Sequence, residues 1–269
     1  MLFLSRPYGQ RSNQLFQHIH LDSYCRENGL SYKNYFLYSM KNDYLLQGAE
    51  THLSKFGYVF FKLLNDLRIG KYLSYKFHLG GNNAEFRKKI DHNWILYASD
   101  FGFRSIETTK KDRALYQKMF TPKHIDVEKF TPFLNRKEDQ IILGLHVRRG
   151  DYKTWYDGKY FYDDEVYGSV VVKFGSLVQK KLKIIVFTND DELDTKRYLS
   201  LSEEKQVFFS KFNAVEDHYM MSKCDFLIGP PSTFTAWASY MGEVPLMYIE
   251  SPDRNFTIED FKICDGETN

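Results

Sequence analysis

The sequence is short of cysteine. Cys25, Cys224 and Cys264 are far apart and in no C-x-x-C spacing. An odd, scattered set excludes a disulfide framework and a paired-cysteine zinc site, and it fits a reducing compartment. No apolar run approaches the roughly 18 residues that a membrane span needs. The opening segment Met1–Pro7 also lacks the long apolar core of a signal peptide. A cytoplasmic protein is the expectation. A charge surplus is missing as well: the net charge of +2 is too small for bulk nucleic-acid binding, which rests on a strong basic excess. There is no strict Asp-x-Asp pair of the kind that clamps a metal–nucleotide complex. A diphosphate bound here would have to be neutralised by cationic side chains and backbone amides, with no metal expected.

What is present is an ordinary globular composition, 43% apolar and 27% charged over 269 residues, enough for two domains of about 130 residues or one large one. The aromatic share is high, at 20 Tyr and 23 Phe. Some could stack on bases or sugars, but most must be core. The polar stretch Lys123–Gln140, which holds Pro132, is the natural boundary, and the domains are drawn at 1–138 and 139–269.

In the first half, Leu2–Ser5 reads as a strand, followed by a loop over Arg6–Ser12 and a helix from about Asn13 to Glu27. Ser31–Tyr38 reads as a second strand. Thr51–Leu67 reads as a helix with Leu53, Phe56, Phe60, Leu63, Leu64 and Leu67 at three- and four-residue spacing. A turn is expected at Gly80–Asn83, a strand at Trp94–Ala98 and a short helix at Asp112–Phe120. The second half is more regular. Strands are expected near Ile141, at Lys183–Phe187, Gln206–Phe209, Asp225–Ile228 and Pro245–Ile249. Between them fall helices at about Asp164–Lys181, Asn189–Leu199, Ala214–Lys223 and Thr233–Met241. Such alternation predicts an α/β fold with a parallel sheet covered on both faces.

The chain is organised around Ile141–Asp151, I-I-L-G-L-H-V-R-R-G-D. It begins as a short apolar run bounded by charge, the pattern of a buried parallel strand. It ends in His146, Arg148, Arg149 and Asp151, where ligands of open α/β sheets bind. Alternation puts His146 and Arg148 on one face, Val147 and Arg149 on the other. A guanidinium there suits a phosphate, which it can hold through two parallel charge-assisted bonds; a solvated strand edge is the plain alternative.

Three further stretches can join it. In Asn213–Asp225, Asp217 shares a helical face with Met221 and Cys224. It is either a carboxylate favoured by a helix N-terminus or an acceptor for the two adjacent N–H donors of guanine. In Ile228–Trp237, a strand stops at Gly-Pro-Pro and a helix begins near Ser232, a site for an N-cap and equally for a phosphate. The loop Gly9–Gln14 is a second strand-to-helix turn with polar residues at its tip. Asp151, Asp157, Asp163 and Asp164 follow the central strand on a loop rich in aromatics, with Asp151 better placed to brace the arginines.

Together these stretches resemble fucosyltransferases, nearest the α-1,2-fucosyltransferases of glycosyltransferase family 11. The resemblance rests on H-V-R-R-G-D-Y at His146–Tyr152, G-Q-R-S-N-Q-L-F-Q at Gly9–Gln17 and V-F-T-N-D at Val186–Asp190. It rests also on E-D-H-Y-M-M-S-K-C at Glu216–Cys224 with P-S-T-F-T-A-W at Pro231–Trp237. It implies a GT-B-like fold, two Rossmann-like domains facing a cleft, with the acceptor side in the first and the donor held by the second. It implies GDP-fucose, inversion by single displacement, no catalytic metal, and a glycan or lipid-linked glycan acceptor. The inversion it implies needs a base at the attacking hydroxyl, and Asp157 is preferred. An α-1,2 linkage made in bacterial surface polysaccharide synthesis is the expectation, and peripheral membrane association stays open. By motif position, Arg148 would hold the β-phosphate and His146 would line the donor site. Asp217 would accept from guanine, Ser232, Thr233 and Phe234 would meet the diphosphate and fucose, and Asn13 would stand close to the reacting centre. Ser12 replaces the family's glycine, which would restrict that loop. A transferase of another GDP-linked hexose and a non-catalytic GDP-sugar-binding protein are the competing readings.

Overall fold

The computed structural model describes residues 1–69, 72, 74–76, 96–99, 106–201 and 206–266. The turn expected at Gly80–Asn83, and Trp94 at the start of an expected strand, lie outside the described residues. The chain forms two compact units, one over Met1–His124 together with Asp265 and Gly266, the other over Ile125–Cys264.

The first unit carries strands β1 (Leu2–Leu4), β2 (Tyr32–Lys33), β3 (Ser74–Lys76) and β4 (Leu96–Ser99) in the order β2-β1-β4-β3, all parallel. Its helices are α1 (Arg11–Glu27), α2 (Lys55–Asp66), α3 (Ile106–Lys111) and α4 (Arg113–Met119). Leu2 and Leu4, two apart and so on one face, pack with Leu21 and Cys25 of α1, Phe36 and Phe61. The second strand is shorter than Ser31–Tyr38. The side chain of Asn34 accepts from the Phe36 N–H and starts a 3-10 turn over Tyr35–Met40, so a local cap draws the chain out of the sheet.

Helix α2 begins at Lys55, because Ser54 caps it by accepting from the Gly57 N–H. Its expected core stripe is turned outward: Phe56 is 82% exposed, and Phe60, Leu63 and Leu67 are exposed too. The helix is seated through Gly57 and Phe61 instead. A Cβ at Gly57 would lie 2.7 Å from the Tyr35 ring, so that close approach decides which face is buried.

Among its described residues the second unit holds five parallel strands, β5 (Gln140–Val147), β6 (Lys181–Thr188), β7 (Val207–Phe209), β8 (Phe226–Gly229) and β9 (Leu246–Tyr248), in the order β7-β6-β5-β8-β9. Its helices are α5 (Val127–Leu134), α6 (Asp164–Val178), α7 (Thr195–Leu199), α8 (Ala214–Met221) and α9 (Thr233–Gly242). Leu143, Leu145 and Val147 of β5 pack on one face with Tyr167, Val171 and Phe174 of α6. On the other face Ile142 meets Met220, Met221 and Ala238 of α8 and α9. The unit is doubly wound.

The boundary drawn at 138/139 moves to between His124 and Ile125. Helix α5, read from sequence as part of a polar linker, belongs to the second unit. Phe130 is fully buried there. The ammonium of Lys183, on β6, donates to the carbonyls of Pro132 and Asn135 at the end of α5, each at 2.7 Å, satisfying acceptors that a helix C-terminus leaves open.

Candidate active site

β5 is the central strand. β6 lies on one side of it and β8 on the other, so its carboxyl end is the topological switch point where such sheets bind ligands. The alternation expected there holds. Val147 joins the α6-side core, and His146 turns to the opposite side. The His146 ring is buried, with Nδ1 2.6 Å from the Thr235 hydroxyl, and it lies 5.4 Å from the Phe234 ring. Burial, then the charges of Arg148 and His218, pull its pKa down to about 3, so it is neutral near pH 7. Gly229 of β8 makes the contact possible, since a Cβ there would lie 2.8 Å from that of His146.

The two arginines have different surroundings. Arg149 donates through Nη1 to Asp190 at 2.9 Å, through Nη2 to Asp164, and through Nε to the Tyr162 carbonyl at 3.3 Å. It is a tie between the ends of β5, β6 and α6, not the brace to Asp151 that the sequence suggested. Arg148 takes that role. Its Nη2 reaches both oxygens of Asp151, at 2.8 and 3.0 Å, while its Nε is buried without a hydrogen-bond partner among the described residues. The middle motif V-F-T-N-D supplies the rest of the frame. Asn189 accepts from the Arg149 N–H at 3.0 Å and packs against Gly150, where φ is +44° and a Cβ would come within 2.6 Å of its amide.

At the end of β8, Ser232 is the N-cap of α9, accepting from the Phe234 N–H at 3.2 Å. Tyr152 donates to the carbonyl of Pro231, and its ring lies 5.5 Å from the Arg148 guanidinium. The α9 N-terminus and Arg148 therefore flank one tyrosine. An N-terminus that carries positive partial charge beside a guanidinium suits an anion. Phe234 stacks on His218 of α8 at 4.1 Å, which ties α8 to the same face.

Asp217 precedes His218. Helix α8 is already capped by Asn213 and Glu216 in a capping box, so Asp217 has no capping task. Its carboxylate accepts from the Ser210 hydroxyl at the end of β7. Burial pushes its pKa up to about 7, with the Ser210 bond acting the other way and Glu216 adding to the rise. Asp217 is half-buried, and a carboxyl whose ionised form is disfavoured by burial is available to a ligand with N–H donors.

Asn13 belongs to the first unit, in the opening turn of α1. A Cβ at Gly9, where φ is +58°, would lie 2.4 Å from its amide. Gln14 donates to the Gly9 carbonyl at 3.0 Å, and Gln17 takes the Tyr8 N–H at 3.1 Å while donating to the Arg6 carbonyl at 3.2 Å. The N-Q-x-x-Q run thus straps the preceding loop to its own helix. Ser12 lies inside α1, where helical backbone asks for no glycine, so its replacement of that residue does not restrict the loop. Asp157 is exposed, with φ +54°, on the loop that follows β5.

The structure gathers His146, Arg148, Ser232, Thr233 and Phe234 at the ends of β5 and β8, with Asp217 on the adjoining α8. Thr235, Tyr152, Asn189 and Asp190 take part in the same frame and were not singled out from sequence. The T-N-D spacing after a buried strand was the available signal for the last two. Among the described residues no group of three His, Cys, Asp or Glu side chains could hold a metal ion.

The description of glycosyl transferase family 11 matches residues 12–263. No curated protein matches. Among solved structures, a mutant of Arabidopsis thaliana FUT1 in complex with GDP aligns with a TM-score of 0.63 at 11% identity, over 97% of this chain and 72% of that one. The fucosyltransferase NodZ from Bradyrhizobium aligns with a TM-score of 0.57 at 14% identity, over 94% and 96%. POFUT1 in complex with GDP aligns with a TM-score of 0.51 at 9% identity, over 90% and 94%. At these identities the likeness is one of fold, and it is the GT-B-like α/β fold expected from sequence.

Proposed function

The chain belongs to glycosyl transferase family 11, and on that premise we propose that it moves fucose from GDP-fucose to a hydroxyl of a glycan acceptor. The observation that carries the reading is Arg148, whose buried Nε lacks a hydrogen-bond partner among the described residues, beside the N-terminus of α9. In the reaction the acceptor oxygen attacks the anomeric carbon with inversion. The bond from that carbon to the β-phosphate oxygen breaks, and GDP leaves with extra negative charge. Arg148 and the α9 amides answer that charge where it grows, so they act more on the transition state than on the ground state. Asp217, once ionised, accepts from guanine, and neutral His146 with Phe234 forms the wall beside it. By motif position Asn13 is assigned a part in catalysis, and Asp157 takes the acceptor proton. Cationic side chains and amides alone neutralise the diphosphate, so no metal is required.

The finer reading is an α-1,2 linkage, made in the cytoplasm on a glycan or lipid-linked glycan for bacterial surface polysaccharide. The test is incubation with GDP-fucose, GDP-mannose and other sugar nucleotides, in excess EDTA, with GDP release measured against water and a glycan panel. Acceptor-dependent release from GDP-fucose is expected. Release from another GDP-hexose only would change the sugar, and tight binding without release would make the protein a GDP-sugar sensor.

A further inference from the structure

Between the arginine motif and α6, the loop Gly150–Phe161 packs its aromatic side chains into one cluster. Tyr152 is buried, joined to Pro231 and close to Ser232 and Arg148. The Trp155 ring lies 4.7 Å from that of Tyr152, tilted by 36°, and 5.7 Å from that of Tyr160, tilted by 38°. The Tyr156 ring lies 4.7 Å from Trp155 and stands edge to face with it, at 88°. The row runs outward: Tyr152 is 6% exposed, Trp155 37% and Tyr156 68%. Burial does not explain why large rings stand at its outer end. The backbone under them is costly too, because Tyr156 and Asp157, at φ +47° and +54°, both hold left-handed conformations ahead of Gly158 at +76°; L residues avoid that region.

We infer that Trp155 and Tyr156, set at right angles, form an aromatic corner as the platform for a pyranose ring of the acceptor glycan, which stacks on the face of one ring and packs against the other, an inference that rests on the function proposed above. A pyranose has a face of polarised C–H bonds and a rim of hydroxyls. The electron-rich face of an aromatic ring attracts such a C–H face, and both shed water on contact. Polar groups for the rim belong to the same turn: the Tyr156 hydroxyl, the exposed Asp157 carboxylate, and the Lys159 ammonium 5.0 Å from the Tyr160 ring. Position favours the acceptor over the donor. The inner end of the row, Tyr152, touches the proposed phosphate cradle, and the carbon attacked by the acceptor is bonded to that phosphate. Guanine, by contrast, is assigned to Asp217, reached through His218 and Phe234.

The test uses the full chain saturated with GDP, and reads saturation transfer by NMR from protein to the ring C–H protons of methyl β-D-galactopyranoside, methyl β-D-glucopyranoside and methyl α-D-mannopyranoside. At least one pyranoside should receive saturation from the wild type. Trp155→Ala and Tyr156→Ala should each weaken that pyranoside's affinity at least about tenfold, the equivalent of one lost stacking contact, and Trp155→Phe should keep most of it. GDP affinity, measured by calorimetry on the same samples, should stay within about twofold, since neither ring is assigned to the nucleotide. Tyr156→Ala removes the outermost ring and serves as the second variant if Trp155→Ala unfolds. No transfer to any pyranoside, or unchanged affinity in a folded Tyr156→Ala protein, overturns the platform. Failure of GDP to bind, with pyranoside binding intact, instead overturns the donor reading and leaves the platform standing.

Discussion

Arg148 and Arg149 are neighbours in the chain and opposites in their bonding: Arg149 is satisfied by Asp164, Asp190 and the Tyr162 carbonyl, whereas Arg148 meets one exposed carboxylate and keeps a buried Nε without a partner among the described residues. The first arrangement is a structural tie and the second is a prepared site. Arg149→Lys cannot reach three acceptors with one ammonium, and it leaves Asp164 and Asp190 partly unpaired in a site only 14% exposed on the arginine side. A loss of about 2 kcal/mol in stability is expected, roughly 4–8 °C in melting temperature. Unchanged melting would return Arg149 to the surface role of a rim charge.

Donor binding should release a proton from Asp217. Its folded pKa is raised to about 7, so the carboxyl is largely protonated at pH 6 and cannot accept both guanine N–H groups. Affinity for GDP-fucose should therefore rise about tenfold between pH 6 and pH 8, the shift of one linked proton, and level off above. Calorimetry in buffers of different ionisation enthalpy reads the proton directly. Asp217→Asn should weaken binding by about 1.5–3 kcal/mol and flatten the pH dependence. A steep dependence that survives in Asp217→Asn would assign the proton elsewhere.

Acid should destabilise the protein well above the carboxylate range. Burial holds His18 down to about 3, His52 to about 4 and His146 to about 3. Unfolding therefore takes up protons at these sites as pH falls below about 6.5. Asp217 works in the other sense, since its raised pKa favours the folded state between about pH 4 and 7. Three protons taken up against one released leaves a net of about two, a slope of about 2.7 kcal/mol per pH unit near pH 5. Melting curves at pH 7, 6 and 5 check it, and a flat melting temperature across that range would contradict it.

Gly9 should be needed for the position of Asn13. Gly9→Ala strains a left-handed residue and pushes into the Asn13 amide. With Asn13 proposed at the reacting centre, both Gly9→Ala and Asn13→Ala should lower kcat at least about tenfold, about 1.4 kcal/mol, with GDP-fucose affinity little changed. Loss of donor affinity in parallel with kcat would move Asn13 out of that role.

The second unit was legible in outline because its strands are short apolar runs buried on both faces, each followed by a helix with its own cap. Gln140–Val147 and Lys181–Thr188 fall where the runs predict them. Helix α5 was not legible. Pro132 and its charged flanks read as a linker, and the reason it folds, Lys183 reaching back from β6 to its last carbonyls, is a contact some 50 residues away. In the first unit α2 was placed but turned the wrong way, because a glycine set against Tyr35 outweighed an apolar stripe. The site shows the same division. Strand alternation correctly separated His146 from Arg149, and motif position identified the residues gathered at the switch point. Asp151 was read as a brace for both arginines and serves only Arg148; the partners of Arg149 could not be read, since Asp151, Asp164 and Asp190 are equally acidic in sequence and only the ends of β6 and α6 decide which one Arg149 meets.

The most direct test of the account is Arg148→Lys, assayed for transfer rate, donor affinity and melting temperature beside Arg149→Lys. Lysine keeps the charge at position 148 but loses the planar, two-pronged geometry. The charge it must answer appears mainly in the transition state. A folded Arg148→Lys enzyme with wild-type melting is expected, with kcat lowered at least about a hundredfold, roughly 3 kcal/mol, and a smaller change in GDP-fucose affinity. Arg149→Lys should lose melting temperature first. An Arg148→Lys enzyme that is folded and transfers at near wild-type rate would contradict the account.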